Sequence, residues 1–327
     1  MSTKKLTIAT FNMENLDNSG STAAKNLWPT RIKVLRPMLA RMNADVLLLQ
    51  EVHSLDALDD LLDTTPYKNF NKVHTVTQQG QPYKQRNLVI MSRWPIQHHD
   101  QYFHVFTDKP MWRKITTQPP EKEADEIGWE RPILYAKIGL GDNKTLHVIN
   151  LHLKSMNPTA IKGQNPTWYI WASHSGWAEG FFLSAIKRVG QALETRVLLD
   201  DIFDKSGGDS LIVVGGDFNA EIGSVPFKAI VGGVQDTQNP AIRDHVMVPC
   251  EYNVPPEQRY TLFHHGKGNM LDHLIVSPAL YPHWVDTSIF NEVLPDESLQ
   301  YADDKKFPES DHAPVIAHFQ VPDAWIV

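Results

Sequence analysis

Residues 211–221, with the sequence LIVVGGDFNAE, contain the most informative motif of the chain. The apolar run at 211–214 predicts a buried β-strand that ends on two glycines. Because strand residues two apart share a face, Asp217 and Asn219 would lie together at the rim of a sheet. A carboxylate beside a carboxamide can accept a proton from water and donate hydrogen bonds to an anion, which suits phosphoester hydrolysis. A turn rich in Gly, Asp and Asn is the alternative interpretation.

Other apolar strands along the chain end in polar residues in the same way. Their ends carry acidic, amide, imidazole or amine side chains, namely Asn12, Glu14, Glu51, His152, Lys154, Asp272, Asp311 and His312. This repetition favours one functional edge of a sheet over a set of unrelated turns.

Together these segments resemble the endonuclease/exonuclease/phosphatase superfamily, which includes pancreatic-type deoxyribonucleases, abasic-site endonucleases, bacterial sphingomyelinases and inositol-phosphate phosphatases. The matching pieces occur in family order and span nearly the whole chain. They are TFNME at 10–14, LQEV at 49–52, the weaker LVIMSRWPI at 88–96, INLH at 149–152, GDFN at 216–219, LDH at 271–273 and SDH at 310–312. No single motif is specific, but their common order is.

Many strands flanked by a few helices predict an α+β fold in which two sheets pack face to face with helices outside. The resemblance implies a four-layer α-β-β-α sandwich of two packed, mostly antiparallel sheets. Helices are predicted near 28–42, 55–63, 180–204 and 225–232, the first because Pro29 suits a helix start. Strands are predicted near 6–11, 45–50, 72–77, 87–92, 101–106, 132–139, 145–151, 211–215, 259–263, 272–276, 284–290 and 313–319.

The composition of the chain is that of an ordinary soluble globular protein, with 42% hydrophobic and 21% charged residues among 327. No Pro/Ser/Gly-rich linker divides the motifs, so we expect a single domain over residues 1–327. The one cysteine, Cys250, excludes an intrachain disulfide and a cysteine-built zinc site. No signal-like or membrane-length apolar run occurs, so we expect a cytoplasmic protein without integral membrane association.

Two segments outside the motifs stand out. Residues 155–182 read as an aromatic-rich insertion that begins three residues after His152, and it contains Trp168, Tyr169, Trp171, Trp177, Phe181 and Phe182. These rings could cover a sheet edge or form a wall over the site. The polar, partly basic loop near 78–87 could contact a phosphate, although a solvated hairpin is the simpler interpretation.

A hard divalent cation would withdraw charge from a phosphoryl group, and Mg²⁺ is the expected ion, with Mn²⁺ or Ca²⁺ as alternatives. Glu51 ends an apolar strand and is the leading metal ligand, with Asn12 beside it as a ligand or an outer contact. The resemblance adds Asp311 as a ligand. Glu14 stands where abasic-site endonucleases usually carry an aspartate, and it joins Lys154 as a further candidate for metal or substrate contact.

Asp272 and His312 resemble the carboxylate–imidazole dyad of the family, in which the carboxylate orients the ring and stabilises its charge. His312 would either activate water or contact the phosphate as a cation, and Asp217 is the rival base. Asn219 would orient the nucleophile or a phosphoryl oxygen. His152 would hydrogen-bond the phosphate or protonate the leaving group.

These residues predict a metal-dependent phosphodiesterase that acts on a small-molecule or lipid-headgroup phosphodiester. The aromatic segment and the net charge of −7 favour that substrate class over nucleic acid, although DNA or RNA remains the alternative substrate and partner. A catalytically silent binding module is disfavoured because no predicted catalytic residue is missing. The oligomeric state is left open.

Overall fold

The structure is a computed structural model that describes residues 2–141, 144–167, 169–299 and 307–326, so Trp168 of the aromatic segment lies outside the described residues. The described strands are β1 (Thr3–Leu16), β2 (Val46–Val52), β3 (Asn71–His74), β4 (Asn87–Ser92), β5 (Ile96–Tyr102), β6 (Met111–Trp112), β7 (Asp125–Glu126), β8 (Ile133–Gly141), β9 (Lys144–His152), β10 (Leu211–Asp217), β11 (Val248–Pro249), β12 (Leu262–His264), β13 (Lys267–Asn269), β14 (Asp272–Val276), β15 (Trp284–Ile289) and β16 (Val315–Pro322). The described α-helices are α1 (Thr22–Met42), α2 (Leu55–Leu62), α3 (His174–Ser206), α4 (Val225–Val231) and α5 (Val234–Thr237).

Twelve of these strands form two six-stranded sheets. Their orders are β15-β16-β1-β2-β4-β3 and β11-β14-β10-β9-β8-β5. Each sheet contains one parallel pair, β1 with β2 in the first and β9 with β10 in the second. The other neighbouring strands within the two sheets run antiparallel.

Strand alternation sorts the apolar side chains into three layers. Ile8 and Leu48 of the first sheet pack with Val148 and Val213 of the second, forming the core between the sheets. The opposite face of the first sheet packs against α1 and α2. The opposite face of the second sheet packs against α3 and α4. The fold is therefore the predicted α+β four-layer sandwich of two packed, mostly antiparallel sheets.

Two predicted helix starts are wrong, because side-chain caps begin the helices earlier. α1 begins at Thr22, where Ser21 Oγ accepts the backbone N–H of Ala24, so that Pro29 lies inside the helix. α3 begins at His174, capped in the same way by Ser173. The last nine residues of the 155–182 segment therefore belong to a 33-residue helix.

The predicted strand at 101–106 is also displaced. The strand is β5 at Ile96–Tyr102, and residues 103–107 form bends instead. Cys250 is a buried free thiol. Within the described ranges, no helix is long and apolar enough to cross a membrane.

Candidate active site

The polar side chains meet where the parallel pairs of the two sheets end. In β10, Val213 faces the core between the sheets and Val214 faces the helices, so alternation directs Asp217 between the sheets. The same alternation in β1 directs Asn12 between the sheets. Asn12 Nδ2 donates a hydrogen bond of 3.1 Å to Asp217 Oδ2. The two sheets thus contribute to one site at one edge of the sandwich.

Gly216 allows β10 to lie close to β9 beside this site. Its φ of 136° is rarely adopted by L side chains, and an added Cβ would lie 2.0 Å from the carbonyl oxygen of Leu151. The parallel register places Asp217 opposite His152. A glycine at this position is therefore required for the close pairing that brings the imidazole beside the carboxylate.

The carboxylate of Asp217 is the centre of the site. Its Oδ2 accepts hydrogen bonds from Asn12 Nδ2 at 3.1 Å and from Asn219 Nδ2 at 3.0 Å, and it lies 3.3 Å from His152 Nε2. Its Oδ1 accepts the backbone N–H of Asn219 at 2.8 Å. Burial opposes ionisation, but the His152 hydrogen bond and the charge of His312 lower the pKa of Asp217 below its ordinary value. Asp217 is therefore an ionised carboxylate.

Asn219 reaches Asp217 through a turn and not through strand alternation. β10 ends at Asp217, and Asn219 adopts a φ of 47° in the left-handed region. Its Nδ2 also donates to the carbonyl of Leu153 at 3.1 Å. The two side chains lie together as predicted, but the extended geometry assumed for them is wrong, because the chain turns directly after the strand.

His152 is neutral and faces two carboxylates. Burial, and next the charge of Arg131, lower the pKa of His152 below its ordinary value. Its Nε2 lies 3.3 Å from Asp217 Oδ2 and 3.6 Å from Glu51 Oε1, which makes Nε2 the protonated nitrogen. The ring can therefore donate a hydrogen bond at the point where the two sheets meet.

Asp272 and His312 form the predicted dyad. His312 Nδ1 lies 2.7 Å from Asp272 Oδ2, and both residues are buried. Burial alone would lower the pKa of His312, but the charge of Asp272 and its hydrogen bond raise it well above the ordinary value. Thr261 Oγ1 accepts the backbone N–H of Asp272, and Ser310 Oγ accepts that of His312, each at 3.1 Å. The dyad is therefore a fixed pair with a cationic imidazole.

Glu51 reaches the site because its strand is irregular. Alternation from Leu47 and Leu49, which face the helices, would turn Glu51 toward the helices as well. Instead Glu51 adopts a φ of 56°, at the point where the register between β2 and its neighbours shifts. A bulge of this kind re-aims a side chain. Burial would raise the pKa of Glu51, but His152 and Arg86 beside it lower it below the ordinary value.

A second group of carboxylates lies beside Glu51. The backbone N–H of Asp311 donates to Glu14 Oε2 at 3.1 Å, and Glu14 itself has a left-handed φ of 42°. Burial, and then the negative charges of Glu14 and Glu51, raise the pKa of Asp311 well above its ordinary value. Arg31 lies near these acids, but its guanidinium donates to the carbonyls of Met13 and Glu14. Crowded acids of this kind favour a bound cation.

The donor chemistry distinguishes two places for a metal ion. Across the described ranges, Asp217, Asp272 and His312 form the one group of three acidic or histidine side chains whose ligand atoms all lie within 4.8 Å of one another. The protonated ring of His312 has no lone pair to offer a metal. Glu51 and Asp311 instead offer oxygen ligands, which hard divalent cations prefer. Asn12 Oδ1, which accepts the backbone N–H of Glu14 at 3.0 Å, is the adjoining amide oxygen.

Lys154 contacts neighbouring polar groups, and its contact with metal or substrate stays a prediction. Its Nζ donates to Ser155 Oγ at 2.8 Å and lies 4.0 Å from Glu130 Oε1. The sequence analysis missed Arg131, whose Nη1 donates to the carbonyls of His152 and Leu153 at 3.2 and 3.4 Å. No motif contains Arg131, so no sequence signal was available for it.

A buried amide pair fastens the two sheets beneath the site and was also missed. Gln50 Nε2 donates to Asn150 Oδ1 at 2.7 Å. Asn150 Nδ2 donates to the carbonyls of Leu49 and Val89 at 3.0 and 2.9 Å. A usable signal was present, because Gln50 precedes Glu51 and Asn150 precedes His152 by two residues within the quoted motifs.

The aromatic segment lies on the outside of the molecule. Trp177 packs on Phe181 and Phe182 packs on Trp112, with ring centroids 4.6 and 4.5 Å apart. More than a third of the area of Trp177, Phe181 and Phe182 is exposed. A cleft lined in part by Tyr83, Arg86, Glu130 and Arg131 lies beside Glu51, and none of these rings lines it. A role for them as a pocket wall stays a prediction.

Comparison with known proteins identifies the family of the chain. The model of the Endonuclease/Exonuclease/phosphatase family matches residues 9–312. The chain belongs to this family, whose members hydrolyse phosphoester bonds. No curated protein sequence matches the chain.

Solved structures share the fold at low sequence identity. An endonuclease/exonuclease/phosphatase family protein from Bacteroides thetaiotaomicron superposes with a TM-score of 0.59 at 15% identity, covering 98% of this chain and 97% of that one. A mannosyl-6-phosphatase of the same organism gives 0.57 at 17% identity over 95% and 98% of the chains. The 3' phosphatase NExo from Neisseria, bound to a product DNA hairpin, gives 0.53 at 18% identity over 96% and 99%.

Proposed function

We propose that the protein is a divalent-metal-dependent phosphodiesterase acting on a small-molecule or lipid-headgroup phosphodiester. The observation that carries the proposal is the convergence of Asn12, His152 and Asn219 on one ionised carboxylate, Asp217. The dyad with its cationic imidazole lies beside that carboxylate, since ligand atoms of Asp217 and His312 are within 4.8 Å. A site with these charges can hold a phosphoryl group and a water molecule together.

The protonation states support a division of roles. Asp217 is ionised and His312 is protonated, so Asp217 is the member of the two that can take up a proton. In the reaction, the water oxygen bonds to phosphorus, the water proton passes to Asp217, and the bond from phosphorus to the leaving oxygen breaks. Cationic His312 stabilises the charge that develops on the phosphoryl group and can supply a proton to the leaving oxygen.

Glu51 and Asp311, with Asn12, are the residues that would hold the metal. A bound Mg²⁺, or Mn²⁺ or Ca²⁺ in its place, would neutralise phosphoryl charge as a Lewis acid. The raised pKa of Asp311 supports this assignment, because a cation would relieve the repulsion from Glu14 and Glu51 that contributes to the raised value. Asn219 would orient the water or a phosphoryl oxygen, and neutral His152 would donate a hydrogen bond to the phosphate.

The test is hydrolysis of bis(p-nitrophenyl) phosphate by the purified protein with Mg²⁺, Mn²⁺ or EDTA. We expect EDTA to abolish activity, and Asp217→Asn and Glu51→Gln each to lower kcat by about 10²- to 10⁴-fold. Asp201→Asn, a change in a surface ion pair of α3, is the matched control and should leave activity unchanged. Full activity in Asp217→Asn would contradict the proposal. Efficient nicking of a plasmid under the same conditions would identify a nuclease instead.

A further inference from the structure

A cleft of about 240 Å³ lies beside the proposed active site and is not used by the chemistry described above. One wall comes from the connection between β3 and β4 and includes Tyr83 and Arg86. The other wall precedes β8 and includes Glu130 and Arg131. Arg86 joins the cleft to the active site, because its Nε lies 3.9 Å from Glu51 Oε1.

The wall that carries Arg86 is held in place by hydrogen bonds to the buried side chain of Asn87. Asn87 Oδ1 accepts the backbone N–H of Tyr83 at 2.9 Å, and Asn87 Nδ2 donates to the carbonyls of Tyr83 and Val52 at 2.8 and 3.0 Å. Arg86 itself has a φ of 56°, a left-handed conformation that costs energy in a residue with a side chain. The loop near 78–87 is therefore preorganised at its carboxyl end, in contrast to a freely solvated hairpin.

The opposite wall presents a second guanidinium in a fixed orientation. Arg131 is 6% exposed, and its Nη1 is fixed by the carbonyls of His152 and Leu153. Among the described residues no hydrogen bond from its Nε or Nη2 is present, and Arg131 lines the cleft. Burial, and next the charge of Arg86, lower the pKa of Arg131, so the two guanidinium groups repel each other. An anion between them would relieve that repulsion.

Glu130 is the one carboxylate among the described residues that line the cleft. Burial opposes its ionisation, but Lys154 and Lys187 lower the pKa of Glu130 below its ordinary value. Lys187 Nζ lies 3.4 Å from Glu130 Oε1. An ionised carboxylate beside two guanidinium groups suits a ligand that carries both an anionic group and hydroxyl groups.

We propose that the cleft is a substrate subsite that binds a second anionic group, a phosphate on a small polyhydroxylated ring, next to the phosphoryl group that is hydrolysed. This inference rests on the proposed function, and it narrows the substrate to a phosphorylated sugar or polyol. The volume supports a compact group, because ligand pockets for drug-sized molecules are about 300–1,000 Å³. Arg86 and Arg131 would bind the second phosphate, and Glu130 would accept a hydroxyl.

The test is competitive inhibition of bis(p-nitrophenyl) phosphate hydrolysis by fructose 1,6-bisphosphate and by fructose 6-phosphate. In the unchanged protein we expect the bisphosphate to bind about tenfold more tightly than the monophosphate, a preference of about 1.4 kcal/mol. Arg86→Gln should reduce that preference to about twofold or less. Lys84→Gln removes the same charge from the same connection, but Lys84 does not line the cleft, so this variant should keep the preference.

The same comparison made by calorimetry in Asp217→Asn protein separates the subsite from the chemistry. A preference for the bisphosphate that persists there, and that Arg86→Gln removes, supports the subsite whether or not hydrolysis is detected. Equal binding of the two sugar phosphates, or an equal loss of the preference in Arg86→Gln and Lys84→Gln, would overturn the proposed subsite. A different result would assign the cleft to a nucleic-acid backbone. In that case Arg86→Gln would selectively relieve inhibition by a single-stranded oligonucleotide, and the protein would show no preference between the two sugar phosphates.

Discussion

Asp272 and His273 are consecutive in β14, yet each belongs to a different buried carboxylate–imidazole pair. Asp272 faces the space between the sheets and pairs with His312 at the active site. His273 faces the opposite way, because successive strand residues alternate between faces, and its Nδ1 lies 2.5 Å from Glu251 Oε1. The two pairs have the same residue types, so a difference in their roles would have to come from their positions in the fold.

The Glu251–His273 pair, called the inner pair below, contacts the turn that carries Asn219. His273 Nε2 lies 2.9 Å from the carbonyl oxygen of Ala220, the residue after Asn219. The ring of His273 also contacts Phe218, with centroids 5.0 Å apart. Burial alone would lower the pKa of His273, but Glu251 raises it above its ordinary value, so the ring can donate from both nitrogens. The Glu251–His273 pair therefore contacts both Phe218 and Ala220, the residues on either side of Asn219.

Breaking the Asp272–His312 pair should have the largest effect on activity. His312→Gln removes the cationic ring, and Asp272→Asn removes the charge that holds it protonated. We expect each to lower kcat/KM by about 10²- to 10⁴-fold, with little loss of substrate affinity. The measurement is steady-state kinetics on bis(p-nitrophenyl) phosphate, with the exposed His99→Gln as control. Near-normal kcat/KM in His312→Gln would remove the distinction between the two pairs.

Breaking the inner pair should instead affect stability first. His273→Leu leaves Glu251 as a buried carboxylate without a counter-charge, which costs about 3–5 kcal/mol. The double variant Glu251→Leu/His273→Leu should recover much of that loss, because replacing a whole buried pair by apolar residues is often neutral. Urea unfolding of the single and double variants measures both values. A double variant as unstable as His273→Leu would show that the charge left behind is not the cause.

A third buried imidazole shows what happens without a carboxylate. His147 Nδ1 lies 2.7 Å from the hydroxyl of Tyr135, and burial, with Lys137 nearby, lowers the pKa of His147 to about 4. Below about pH 6.5 the unfolded chain takes up a proton that the folded protein does not, so stability falls between about pH 6.5 and pH 4. For His273 the sign is opposite, because its contribution is lost as pH rises through a raised pKa.

We therefore expect His147→Gln to remove about 3 kcal/mol of the loss in unfolding free energy that the unchanged protein shows between pH 7 and pH 4. Urea unfolding at several pH values measures the difference. An identical pH dependence in the two proteins would mean that His147 does not titrate in this range.

Metal binding should give the smallest effect on stability and should distinguish the active-site region from the inner pair. Mg²⁺ at ten times its dissociation constant would stabilise the folded protein by about 1.4 kcal/mol, because it would bind the acids Glu14, Glu51 and Asp311 where folding brings them together and not in the unfolded chain. Thermal unfolding with Mg²⁺ or EDTA measures the shift in Tm. Glu51→Gln should abolish the shift, and Glu251→Gln should keep it. A shift that survives Glu51→Gln would place the ion elsewhere.

Much of the fold followed from the sequence, and so did the strand ends at which the candidate site residues lie. Apolar runs that end in polar residues located the strands, and in β14 alternation directs Asp272 and His273 to opposite faces. The start of α1 did not follow, because the cap of Ser21 outweighs the preference of Pro29 for a first turn. Pro29 is compatible with a helix start, but the cap at Ser21, eight residues upstream, begins the helix earlier.

By itself, the sequence determined the family, the order of the strands' polar ends, and the residue types available for phosphoester hydrolysis. Only the tertiary structure decided how they meet. The bulge at Glu51 turns that side chain between the sheets, and the turn after Asp217 brings Asn219 back to it. The cleft between Arg86 and Arg131 joins segments some 45 residues apart in the printed sequence. The physical reason is that periodicity describes regular strands, whereas irregular backbone and contacts between distant segments depend on the packed sheets.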